Sequence, residues 1–116
     1  MPEPNDREFL SDVFIIALEG GISYWADVTK VERVVDLHAG MEVRDNEDRE
    51  APWHYVGRQA LRTAINTIIH DRALAIRSDL RRDIYSAWID LDAGQIDAEG
   101  ADVIVQVAAF GEIVFG

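Results

Sequence analysis

The chain has 116 residues, 48% of them apolar and none of them cysteine, with 22 acidic against 11 basic side chains for a formal net charge of −11. That length and apolar share suit one domain around one core. The missing thiols exclude disulfides, cysteine–zinc sites and thiol nucleophiles, the charge repels nucleic-acid phosphates and acidic membranes over a Debye length, and no apolar run reaches membrane-spanning length.

Residues 1 to 5 read as a frayed end, and MPEPNDRE lacks the basic and apolar regions of a secretory signal. A first helix is expected from an N-cap at Asp6, with Glu8 in its first turn. It is apolar over more than one face through Phe9, Val13, Ile16 and Ala17 and should be central. Gly20 is its expected stop, in the left-handed conformation. The following stretch, ISYWADV, alternates Ile22, Tyr24, Ala26 and Val28 with Ser23, Trp25 and Asp27, the period of a strand. That places Tyr24 and Trp25 on opposite faces, one entering the core and the other at least partly exposed. An edge-like strand is expected over 30–36, and two strands, 41–45 and 52–56, flank the acidic loop NEDREA. A helix over 58–70 should turn Leu61, Ile65, Ile68 and Ile69 inward and Arg58 and Arg62 outward. A further helix runs from Ser78 to about Ile89 on Leu80, Ile84, Tyr85 and Trp88, and DLDAGQ is a turn. The last helix begins at the N-cap Asp97, buries Ala101, Ile104, Val105 and Ala108, and stops at Gly111. The apolar tail EIVFG is expected to add a strand. The class is α+β, a small antiparallel sheet packed by three to four helices in one domain.

The acids of DLDAGQIDAE resemble the opening of a calcium loop, but the register is one residue short and the closing bidentate glutamate is missing. A capped turn explains them, with Asp97 and Glu99 at a helix N-terminus. His38, His54 and His70 show no metal-binding spacing, and no nucleophile elbow or phosphate loop is present. No catalytic residue, metal or cofactor is expected. Asp102 and Gln106 lie four apart in the last helix, a spacing that ordinarily marks the solvent face. If the helix ends meet, Glu19, Tyr24, Trp25, Asp102, Gln106 and Glu112 would form an acidic, aromatic patch suited to a cationic partner. Arg58 and Arg62 are the natural anion contacts.

The pairing of ALEGGISYW with IDAEGADVIVQVAAFGEIVFG resembles a family of small acidic proteins of tailed phages and prophages. Members share a helix ending in EGG before YW, and an acidic helix ending in FGE before an apolar tail. The resemblance covers residues 13–28 and 96–116, while the arginine-rich stretch over 58–82 departs from it. It implies a phage or prophage origin and one α+β domain, and supplies no reaction. The leading functional expectation is a non-enzymatic accessory protein of the host cytoplasm. It would bind a host protein with a basic surface, as an acidic decoy of nucleic acid in counter-defence or host takeover. A pocket near Glu19–Trp25 for a nucleotide-like or cationic metabolite is the alternative, and a phage structural component a third. Arg81 and Arg82, set to pair with acids of a second subunit, admit a homodimer.

Overall fold

The computed structural model describes residues 5–116; the expectation of a frayed end over 1–5 lies almost wholly outside the described residues. Four helices pack on a three-stranded antiparallel sheet of order β1-β2-β3, the expected α+β domain. The strands are β1 (Ala26–Val34), β2 (Leu37–Asp45) and β3 (His54–Gly57). Val43 pairs with Val28 and with His54, and Met41 with Val56. Met41, Val43 and Val56 are fully buried on the face that meets the helices. The strands expected over 22–28 and 30–36 merge into the single β1, which starts only at Ala26 and ends at Val34. Its irregularity lies between Thr29 and Glu32, where Lys30 takes a φ of 49° and the register shifts, so a bulge interrupts one strand where the alternation lapses.

Helix α1 (Arg7–Ile16) buries Phe9, Leu10, Val13 and Phe14. Its end differs from expectation. Gly20 is not left-handed; its φ is 175°, and the helix instead widens into a π-helical turn, Ala17–Gly21. The inserted residue lets Gly21 come against α4, where a Cβ would stand 2.9 Å from the Ala98 carbonyl oxygen. Helix α2 (Arg58–His70) has the expected bounds and buries Leu61, Ala64, Ile65 and Ile68, with Ile69 partly covered. Arg81 donates to the carbonyls of Ile68, Asp71 (2.9 Å) and Leu74 (2.8 Å), satisfying oxygens that the end of α2 leaves open.

Helix α3 (Ser78–Asp90) buries Leu80, Ile84 and Ala87. Tyr85, placed by its spacing on the inward stripe, is exposed, and Trp88 meets Phe9 edge-on at 5.5 Å. Helix α4 (Ala98–Phe110) starts at Asp97, whose side chain accepts from the Gly100 N–H at 2.8 Å. It is the most enclosed helix: every residue from Gly100 to Val107 is buried. The central position expected of α1 belongs to α4, because the sheet-packed α1, the π turn and α2 all close around it. Gly111, at φ +79°, ends it as expected. The tail after it forms no strand.

Candidate functional site

Four of the six expected patch residues converge, with Trp25, Asp102 and Gln106 buried and Tyr24 exposed beside them. Ile22–Trp25 is a helical turn, with the Trp25 and Ala26 N–H groups donating to the Ile22 carbonyl at 3.1 and 2.9 Å. The expected strand alternation therefore fails, and neighbouring side chains are splayed by a turn instead of opposed across a sheet. Trp25 is 2% exposed and Tyr24 56%, so one aromatic does enter the core while the other stays open.

Both reach the same carboxylate. Trp25 Nε1 donates to Asp102 Oδ1 at 2.8 Å, and the Tyr24 hydroxyl donates to Asp102 Oδ2 at 2.6 Å. Gln106 Nε2 donates to Asp102 Oδ1 at 2.9 Å. Asp102 is 7% exposed and Gln106 fully buried, which overturns the solvent-face reading of this pair. A carboxylate taken out of water needs donors on its oxygens, and here an indole, a phenol and an amide supply them. Burial and the Asp102 charge push the Tyr24 hydroxyl up to about 12, because a phenolate would face a carboxylate.

The network also holds the tail. Gln106 Oε1 accepts from the N–H groups of Val114 and Phe115, each at 2.8 Å, and Nε2 donates to the Phe115 carbonyl at 3.0 Å. The Phe115 ring stacks on Trp25 with centroids 4.7 Å apart and planes 7° from parallel, and Phe110 closes the group from the side at 5.5 Å from Trp25. Edge strands bond their neighbours through main-chain partners. Here one glutamine side chain takes that role, so the tail is bound without joining the sheet.

Beside this network runs a groove of about 610 Å³, walled by Gly20, Gly21, Tyr24, Leu80, Val103 and Phe115, with Arg77 and Glu99 at its polar side. Arg77 grips Glu99 through two 2.8 Å bonds and reaches Asp79 at 3.1 Å. The charged groups of the groove thus answer one another.

Glu19 and Glu112 are exposed and stand outside the Asp102 network among the described residues. Arg62 forms a two-pronged pair with Asp6 at 2.6 and 3.0 Å, which holds the Asp6 carboxyl below its ordinary range. Arg58 is half-buried at the start of α2, and neither arginine joins the groove. The acidic turn after α3 is internally capped: Asp92 accepts from the Gly94 N–H, and Gln95 donates to Asp90 and Asp92. No cluster of three or more metal-ligating side chains is present among the described residues, and no helix there is long and apolar enough to cross a membrane.

Sequence reasoning missed Phe115, Arg77 and Glu99. Phe115 had a signal, since an aromatic one turn past a helix stop must find cover. Arg77 and Glu99 had none, because 22 residues separate them. No family model, curated protein or solved structure matches the chain.

Proposed function

We propose that the protein is a non-enzymatic accessory protein of phage or prophage origin. It acts in the host cytoplasm by binding a host protein through that protein's basic surface, in place of nucleic acid. What supports this reading is how the charges are spent. Lys30 pairs with Glu42, Arg44 with Asp27, Arg62 with Asp6, and Arg77 with Asp79 and Glu99. Arg81 faces backbone carbonyls. Much of the small basic complement is thus consumed within the fold, while the acid excess stays exposed. Glu47, Asp48 and Glu50 line one loop, and Asp83, Asp90, Asp92 and Asp97 lie along α3 and the turn beyond it. Asp79, Asp83 and Asp90 share one face of α3, spaced about 6 and 10 Å along the axis.

The groove beside Tyr24 favours the second reading, a small-ligand site, through its size. Its polar groups are already partnered, so an incoming ligand finds apolar wall and no open anchor.

The test is capture from host lysate at low and high salt, with a variant reversing Asp83 and Asp90 to Lys as control. The reading expects a basic host protein held at low salt, released at high salt and lost by the reversed variant. Retention that ignores both salt and charge reversal contradicts it.

A further inference from the structure

The tail is held as a recognition site holds a peptide. Three contacts go from one side chain, Gln106, to the main chain of Val114 and Phe115. One ring, Phe115, fills an aromatic slot made by Trp25 and Phe110. Main-chain bonds supply affinity and a side-chain slot supplies selection, as in other modes of extended-peptide capture. The cradle itself is set independently of the tail, because Asp102 fixes the Trp25 indole and the Gln106 amide from behind. Only one residue joins tail to helix: Gly111, at φ +79°, with no atom near the position a Cβ would take. Straightening that residue releases the segment without disturbing α4.

We infer that the cradle of Trp25, Gln106 and Phe110 also receives residues 112–116 of a second copy, giving a two-fold dimer in which the C-terminal segments are exchanged. Every bond and ring contact of the closed form is regained in the exchanged one, so the two differ mainly in the conformation at Gly111 and in the entropy of association. From Gly111 to Phe115 the extended chain reaches about 14 Å, which brings the ends of the two α4 helices together.

Mass in solution is measured by light scattering across protein concentration for the full chain, Gly111→Ala and Phe115→Ala. Alanine disfavours the left-handed turn that only the closed form needs. The expectation is a monomer–dimer equilibrium that tightens roughly a hundredfold with Gly111→Ala, since each dimer relieves two left-handed residues, and is abolished by Phe115→Ala. A synthetic GEIVFG peptide should dissociate the dimer and move the Trp25 indole N–H resonance, whereas GEIVAG should do neither. If Phe115→Ala fails to fold, the two peptides applied to the unaltered chain decide the matter. A chain that stays monomeric at millimolar concentration with and without Gly111→Ala overturns the inference. So does a dimer that persists in Phe115→Ala or ignores the peptide.

Discussion

Asp102 and Gln106 carry most of what is unusual here. Their spacing alone places them on the solvent face, and that reading fails for a reason visible in the neighbours. A solvent stripe through 102 and 106 should continue in polar residues at the helix end, but Ala109 and Phe110 follow. What cannot be read from one helix is which donors wait opposite it, since Tyr24 and Trp25 lie 78 and 77 residues away. Removing the Gln106 amide leaves the N–H groups of Val114 and Phe115 without their acceptor. Gln106→Leu is expected to cost about 1–3 kcal/mol, read as a lower urea midpoint with unchanged slope. Tyr24 makes a second expectation. Its folded pKa is raised, so the stability it contributes is intact below pH 10 and is lost as pH rises from 10 through about 12. Tyr24→Phe should flatten the loss of melting temperature over that interval; an unchanged slope would show that other groups set it.

Among the elements, the helices other than the end of α1 were legible because their bounds rest on local chemistry. Asp97 caps α4, Gly111 ends it, and α2 starts and stops where its apolar period does. The strand boundaries were less so. ISYW alternates like a strand, yet the π turn before it redirects the chain, and tertiary bonds to Asp102 favour the turn over the local pattern. EIVFG has strand composition but finds a glutamine before it finds a sheet edge. The hairpin joining β1 to β2 was hidden by an unfavourable residue. Val34 pairs with Leu37, so Val35 and Asp36 form a two-residue loop with φ of 51° and 65°. Such loops ordinarily carry Asn-Gly. Val35 is 88% exposed, so its β-branched side chain bears the strain without offsetting contacts. Val35→Asn is expected to raise stability by about 1 kcal/mol, seen as a melting temperature higher by several degrees. A loss of stability would mean that the hairpin tip is held by contacts its exposure does not reveal.

For the molecule as a whole, composition announced the acidic surface, but it did not show where the few cations go. The arginines between 58 and 82 look like a basic segment in the sequence, and in the fold several are spent: Arg62 on Asp6, Arg77 on Asp79 and Glu99, Arg81 on carbonyls. Arg62 holds the start of α1 to α2, and its hydrogen bond keeps the Asp6 carboxyl low. The stability from that pair is present above the ordinary aspartate range and is lost as pH falls through the lowered value. Asp6→Asn should therefore weaken the chain at neutral pH and reduce its sensitivity to acid below pH 4, measured as urea midpoints against pH. Of the candidate site, the sequence showed which residues are chemically unusual. It did not show that Tyr24 and Trp25 face Asp102 across the interior, because they meet it only through long-range packing.

In the proposed function the Asp102 network serves the fold, while recognition lies on the exposed carboxylates. The decisive substitution is Asp102→Asn, with unfolding free energy and capture of any basic protein from host lysate measured on the same sample. The expected result is a loss of about 2–3 kcal/mol, together with undiminished, salt-sensitive retention by the molecules that remain folded. A variant that keeps its full stability yet no longer retains the partner would contradict it, and would place recognition in the aromatic groove.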